Sequence, residues 1–413
     1  MVKVRATSQV HAIDLYTNKV VLSAKLTHFQ NLALKTVIHP WSAIAMSEML
    51  QAIDRELIEL LSKRIAILNS SNLPVQTESA DINQLLAQTG VPEFVWQSIT
   101  TSCAAAIAKP TASNGVKPRD IVVIGGNGSL GSFFVQELSL AGHNVSVFGR
   151  KDWDNPEPLL EQAELVLICV PIERTIDVIA KTAPYLNANT VLADITSIKT
   201  PIVQALLEHH TGPILSLHPM FGPGVQSFLS QNVVVCPVRE QQSYQWLLDL
   251  IANRGGKLIT CTPEEHDRMM IAIQAIRHFS TFSLGVFLAE EGIDISRSLD
   301  FASPLYRLEI DIVSRLFAQD SSLYVDIMLT AEERRQAIGR LAETYTRLAQ
   351  LVAQKDRAAL KREFETTRNA FKQEASRALQ ESNHVISSLS LLLAANDAEE
   401  SRSAEVAELL QTP

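Results

Sequence analysis

Three glycines at fixed spacing, Gly126, Gly128 and Gly131, are the residues whose types and order most directly imply a ligand. They follow a short apolar run at 121–124 and precede an amphipathic stretch at about 130–141, with Phe133, Phe134, Leu138 and Ala141 on one face. Gly142 falls where the helix should stop, and 144–148 reads as a second strand. A G-x-G-x-x-G turn in that setting lets the backbone approach a pyrophosphate, while the helix N-terminus adds partial positive charge. A turn that merely needs three glycines is the alternative, and the strand–helix–strand order weighs against it.

The end of the second strand bears on which dinucleotide is held. An NAD site usually carries Asp or Glu about 20 residues beyond the glycines, where it binds the ribose 2′-hydroxyl. Here the positions are Gly149, Arg150 and Lys151. A carboxylate repels a 2′-phosphate and an arginine grips it with paired hydrogen bonds, so NADP is the preferred cofactor, with NAD the other candidate. The expected cofactor-binding set is Gly126, Gly128, Ser129, Leu130, Gly131, Arg150 and Lys151, with Val170 and Pro171 at the next strand end.

Further along, His218 in LHPMFGP follows a predicted strand at 213–217, and Lys199 follows another at 190–193. In an open parallel sheet, ligands sit beyond the carboxyl ends of the strands, so both residues should reach the crevice of the glycine turn. Histidine suits the transfer of a hydroxyl proton during hydride loss, yet beside Pro219 and Gly222 it could equally shape a loop. The stretch 269–291 is apolar on nearly all sides and predicts a buried central helix carrying Gln274, Arg277, His278 and Ser280, polar groups that need partners. In SPLYRLEIDIVSRLFAQD, Leu305, Leu308, Ile312, Val313 and Leu316 form one helical stripe. Arg315 borders it and Arg307 lies on another face. They could be solvated residues balanced by Glu309 and Asp311, the better reading for Arg307, or they could clamp carboxylates.

These residues must be positioned by at least two domains, since the chain has 413 residues, 46% of them hydrophobic. A net charge of −9 and the lack of a basic stripe argue against nucleic acid as a partner. The four cysteines lack a C-x-x-C pair, so free thiols in a reducing cytoplasm are expected and no metal site. No apolar run approaches a membrane span and no signal-peptide core stands at the N-terminus, so no membrane partner is expected.

In order, residues 1–45 show little usable periodicity beyond two possible strands at 2–10 and 20–26; they could be an arm or a leader before Met46. Residues 46–108 read as helical, and 109–119, rich in Pro, Gly and Ser, as a linker. Residues 120–263 alternate strands with helices, which predicts a Rossmann-like, largely parallel sheet. From 264 to 395 helices continue, including one over 357–393, and 396–413 reads as a frayed charged tail. The fold class is thus α/β plus all-α.

Across 120–390 the segments GGNGSLG, LICVPIERT, ADITSIK, LSLHPMFGP, EEHDRMMIAIQAIRHF and SPLYRLEIDIVSRLFAQD resemble prephenate dehydrogenase of the bifunctional T-protein type. The resemblance implies oxidative decarboxylation of prephenate, or its amino counterpart arogenate, with hydride passing to NAD(P), in tyrosine biosynthesis. It implies His218 as the residue that deprotonates the ring hydroxyl and Arg315 as the holder of the ring carboxylate. Arg307, His278 and Lys199 would shape or charge the same pocket, and a homodimer would form through the helical domain. The stretch MLQAIDRELIELLSKRIAIL is similar to the first helix of a chorismate mutase domain, and Arg64 falls on one of that family's cationic positions. Two others would fall on Ser47 and Val75, and no Lys or Arg stands between Ile65 and Ala108. A dianion cannot be desolvated without cations, so a degenerate, structural or dimerising domain is expected rather than a bifunctional enzyme. A catalytically silent dinucleotide-binding regulator is the reading of a different class, and His218, Arg315 and the intact glycine turn speak against it.

Overall fold

The computed structural model describes residues 40–70, 80–107, 117–222 and 224–411. The possible strands at 2–10 and 20–26, most of the linker and Pro223 lie outside the described residues. The chain divides into two compact units, one ending at Ala108 and the other beginning at Lys109.

In the first unit the helices are Pro40–Ser70, Ala80–Thr89 and Glu93–Ile107. The boundary drawn at residue 46 therefore falls inside a helix, because the apolar spacing that marks it begins only after its first turns. The Arg64 guanidinium lies 5.3 Å from the centre of the Trp96 ring, joining the first and third helices. Met49, Ile53 and Leu57 on the long helix are exposed.

The second unit is built on β1 (Asp120–Ile124), β2 (Asn144–Phe148), β3 (Leu165–Ile168), β4 (Val191–Asp194), β5 (Ile214–Pro219), β6 (Asn232–Arg239) and β7 (Lys257–Thr260). They form one seven-stranded sheet in the order β2-β1-β3-β4-β5-β6-β7. The strands β1 to β5 are parallel, β6 runs antiparallel to β5, and β7 is parallel to β6. Alternation along β1 explains the two layers. Ile121 and Val123 face the helices Ser129–Leu140 and Gln245–Asn253, while Val122 and Ile124 face Ile172–Thr182 and Thr200–His209. With both faces covered, strands read as continuous apolar runs. β1 has β2 on one side and β3 on the other, so the chain reverses direction there and opens a crevice at the carboxyl ends.

Beyond β7, Thr262 caps the next helix, its hydroxyl accepting the Glu265 N–H, with Pro263 in the first turn. The helix Pro263–Met270 continues through a π-helical turn, Ile271–Ile276, into Arg277–Glu290. This 28-residue helix is long and apolar enough to cross a membrane by length and composition, contrary to the expectation that no segment would be. Nor is it the buried central helix expected: within this chain only His266, Met270 and Ala275 are buried along it. Ile295–Asp300, Pro304–Phe317, Ser321–Leu329 and Glu332–Ala353 follow. The single helix expected over 357–393 is two, Arg357–Phe371 and Ala375–Gln411, and the second carries helix through the segment expected to fray. The stripe on Pro304–Phe317 is also divided. Val313 and Leu316 are buried with Ile310, whereas Leu305 and Ile312 are exposed. They line an open groove of about 780 Å³ with Leu284, Phe287 and Arg277.

Candidate active site

The glycine turn has a sharper logic than its spacing conveys. The left-handed residue is Gly125, with φ +83°, one position before the motif. A Cβ there would stand 2.3 Å from the Cys169 carbonyl oxygen, so only glycine lets β1 turn beside β3. At Gly131 a Cβ would meet the Gly125 carbonyl oxygen at 2.4 Å, which sets how closely the helix approaches the turn. Gly128 caps the helix Ser129–Leu140 without any side-chain hydrogen bond, and Gly128 and Ser129 are exposed. The first N–H groups of the helix therefore have no side-chain cap among the described residues and form a cradle that fits a pyrophosphate. Val170 borders the turn, its side chain 3.2 Å from the position of a Gly125 Cβ, and Pro171 caps the helix Ile172–Thr182 beside it.

Beyond β2, Arg150 and Lys151 are exposed in the 3₁₀ turn Arg150–Asp154. The carboxylate nearest them in sequence, Asp152, accepts the Gly149 N–H at 2.7 Å and is folded back on its own turn. The rim thus offers two free-ranging cations where a ribose-binding carboxylate would stand.

On the same edge of the sheet, His218 lies near the end of β5 and is 4% exposed. Its Nδ1 is 2.8 Å from Nε2 of His266, whose Nδ1 is 2.8 Å from Oδ1 of Asp267. The Lys199 N–H donates to Asp267 Oδ1 at 2.8 Å and the Thr200 N–H to Oδ2 at 2.9 Å. On the other ring edge, Gln274 Nε2 lies 3.3 Å from Nε2 of His218, and the buried Oε1 of Gln274 has no hydrogen-bond partner among the described residues. Burial pushes the His218 imidazole well below its ordinary value, with Lys199, His266 and Arg334 adding to the fall and Asp267 opposing it. His218 is accordingly neutral at neutral pH and able to accept a proton.

Lys199 is placed close by but beneath the surface. Its ammonium has no exposed area and donates to Asp194 Oδ2 at 2.6 Å. Ser216 donates to the other oxygen of Asp194 at 2.5 Å. Lys199 therefore acts on the site through charge and through its backbone. Arg334 is also buried, donating to the Ile327 carbonyl at 2.9 Å and the Ser197 carbonyl at 3.1 Å. His278, one turn after Gln274 on the same face, packs edge-on against Tyr324 with centroids 5.0 Å apart. Burial, then Arg277 and Arg334, lower it to about 4, so it is neutral too. Arg315 is exposed, with a guanidinium nitrogen 4.0 Å from the position a Cβ would take at Gly224 in the loop after β5. Arg307 is half-buried on the same helix.

The structure therefore gathers His218 and Lys199 around one end of β5, with Arg315 near the adjoining loop and His278 one turn beyond Gln274, against Tyr324. It also brings in His266, Asp267 and Arg334, which sequence reasoning missed, and gives Gln274 its partner. Adjacent His and Asp at a helix start were the available signal, but nothing in their spacing reveals that the helix packs against β5.

Two family models match the chain: "Prephenate dehydrogenase, nucleotide-binding domain" over residues 146–260 and "Prephenate dehydrogenase, dimerization domain" over 262–366. The T-protein of Enterobacter agglomerans is 35% identical over 371 residues, 86% of this chain and 98% of that protein. The T-protein of Haemophilus influenzae is 34% identical, covering 82% of this chain and 94% of its own. Among solved structures, prephenate dehydrogenase from A. aeolicus in complex with hydroxyphenyl propionate and NAD+ is 15% identical. It aligns with TM-score 0.51 over 63% of this chain and 99% of its own, a likeness of fold.

Proposed function

The chain belongs to the prephenate dehydrogenase family, as an oxidoreductase of the T-protein type, and from that premise we propose the following chemistry. It oxidises prephenate with loss of CO2 to 4-hydroxyphenylpyruvate, in tyrosine biosynthesis in the cytoplasm. When bound, the nicotinamide accepts the hydride. His218 takes the proton of the ring hydroxyl, so that the oxygen can become a carbonyl as hydride leaves the ring carbon. Arg315 holds the ring carboxylate, and Arg307 and His278 shape the pocket while Lys199 and Arg334 charge it from beneath. The observation that supports this most is the buried, neutral His218 at the carboxyl end of β5, on the sheet edge that carries the glycine turn.

We infer further that NADP is preferred, because Arg150 and Lys151 stand at the rim and Asp152 is turned away. The enzyme is proposed to be a homodimer through the helical domain, whose exposed Phe287 and Leu305 line an open groove. The first unit is proposed to lack mutase activity: between residues 40 and 108 its cations are Arg55, Lys63 and Arg64, and Arg64 is stacked on Trp96.

The test is a grid of initial rates with prephenate or arogenate, each with NAD or NADP, beside a chorismate-consumption assay. Turnover greatest with prephenate and NADP, without chorismate loss, is expected. Arogenate turnover alone would move the substrate, chorismate loss would revive the mutase, and silence in all four cells despite dinucleotide binding would make the protein a regulator.

A further inference from the structure

The proposed reaction needs a base at Nε2 of His218, yet the ring's shortest hydrogen bond is made by its other nitrogen. We infer that His266 and Asp267 are positioning residues for His218: they fix its Nδ1–H tautomer, leave Nε2 bare for the substrate hydroxyl, and take up the positive charge that arrives with the proton. This rests on the dehydrogenase reading above.

The tautomers follow from Asp267 outward. Burial alone would raise its carboxyl, but hydrogen bonds from His266 and from the Thr200 and Lys199 N–H groups outweigh that and hold it well below the ordinary carboxylate range. An ionised carboxylate only accepts hydrogen bonds, so Nδ1 of His266, 2.8 Å away, must donate. Burial holds His266 below its ordinary value, hence neutral, and a neutral imidazole with a protonated Nδ1 offers a lone pair at Nε2. Nδ1 of His218, 2.8 Å from that lone pair, is then the donor. One proton remains for the ring and it is spent, so Nε2 of His218 is bare. The Gln274 amide nitrogen lies 3.3 Å from it, and an amide N–H there can only donate to a bare Nε2.

Proton bookkeeping closes along the same line. As the substrate O–H breaks, its electron pair stays on oxygen and an N–H bond forms at Nε2 of His218. The proton already on Nδ1 shifts to Nε2 of His266, making that ring an imidazolium beside the Asp267 carboxylate, which itself stays unprotonated. The charged or titratable groups facing His218 are Lys199, His266, Arg334 and Asp267. Two are permanent cations, so a positive charge left on His218 is repelled, and Asp267 is the group that draws it away. Asp194, the other carboxylate nearby, is already bound to Lys199.

Asp267→Asn and His266→Asn are the probes, compared with wild type in the full chain. In Asp267→Asn, kcat should fall roughly tenfold to a hundredfold, less than the roughly 10²–10⁴ of a whole general-base contribution because His218 itself remains. Dinucleotide affinity and the KM for prephenate should stay within about twofold. The acid limb of kcat/KM should move to lower pH, because the carboxylate that raises His218 is gone. Asp267→Glu should recover part of kcat. A limb that does not move, with kcat, KM and melting temperature changing together, would reduce the pair to a structural support. A second readout needs neither turnover nor a variant: nitrogen-15 NMR of the imidazoles should find His218 protonated at Nδ1 in the wild type. Protonation at Nε2 instead would overturn the inference even if prephenate is the substrate. A silent wild type with the expected tautomer would overturn the dehydrogenase reading alone.

Discussion

The sheet and the helices that follow it bury apolar surface in different ways. Val123, Leu165, Leu167, Ile214 and Leu217 on the strands have no exposed area, because helices of the same chain cover both faces. After Pro263 the balance changes. Leu305 is 60% exposed and Phe287 56%, on the helices that carry Arg315 and His278, and Phe301, in the turn between helices, is 77% exposed. A patch of that kind on a folded chain marks a surface meant for something else. The sheet is covered within one chain, whereas the helical region leaves apolar surface open, which is what the proposed homodimer would cover. His218 belongs to the first and its hydrogen-bonding neighbours His266 and Gln274 to the second, so the proposed chemistry would sit on the seam.

The largest expected effect is at the residue the two regions share. His218→Asn removes the base while keeping a small polar side chain at the end of β5. Turnover should drop by about 10³, within the range for a general base, with dinucleotide affinity unchanged because the glycine turn is untouched. Steady-state rates and a cofactor titration check both halves of that statement. Unchanged turnover would remove His218 from the mechanism, and lost cofactor binding would show that the two ends of the sheet are not independent.

A middle-sized effect should come from the open surface. Leu305→Glu places a charge in the apolar groove, where a buried leucine would contribute about 1.5–3 kcal/mol. In a two-fold dimer the change counts twice, which weakens association by roughly 10² or more. Sedimentation across a concentration series should show monomer where wild type is dimer. An equivalent substitution on the covered face, such as Leu217→Glu, should instead prevent folding, since Leu217 has no exposed area. A Leu305→Glu protein that stays dimeric would mean that the groove is not the interface, and the contrast between the regions would need another cause.

Legibility in the sequence follows the same division. Strands covered on both faces give unbroken apolar runs, and the β2 span at 144–148 and the Gly142 stop of the helix before it could be read directly. The role of Gly125 could not, because the glycine that takes the left-handed turn stands just outside the three spaced glycines, and the close approach of the Cys169 carbonyl shows why it must be glycine. His218 and Lys199 were placed by strand ends, although the burial of Lys199 on Asp194 required the packed structure. In the helical region, periodicity gives helices but not partners. The apolar stretch at 269–291 predicted a core helix because composition alone does not say whether an apolar surface is covered within its own chain. His266 and Asp267 were invisible for a related reason: a contact across 48 residues, from β5 to a helix, leaves no local spacing to read.

The smallest effect is expected at the rim, where the sheet meets solvent and charge is screened. Arg150 is exposed, so a hydrogen-bonded pair with a 2′-phosphate would contribute less than the 1.5–3 kcal/mol of a buried charged bond. Arg150→Ala should therefore raise the KM for NADP by about tenfold and leave that for NAD nearly unchanged. The sign of the salt dependence follows. Added salt should narrow the gap between the cofactors in the wild type and do little in the variant, because screening removes what the substitution has already removed. Lys151→Ala should act in the same direction but more weakly, since an ammonium makes a point contact where a guanidinium makes two. An equal loss for NAD and NADP would mean that Arg150 contacts the part the two cofactors share. The rim of β2 would then have lost its acidic residue without gaining a phosphate, and Asp152 would become the group to examine.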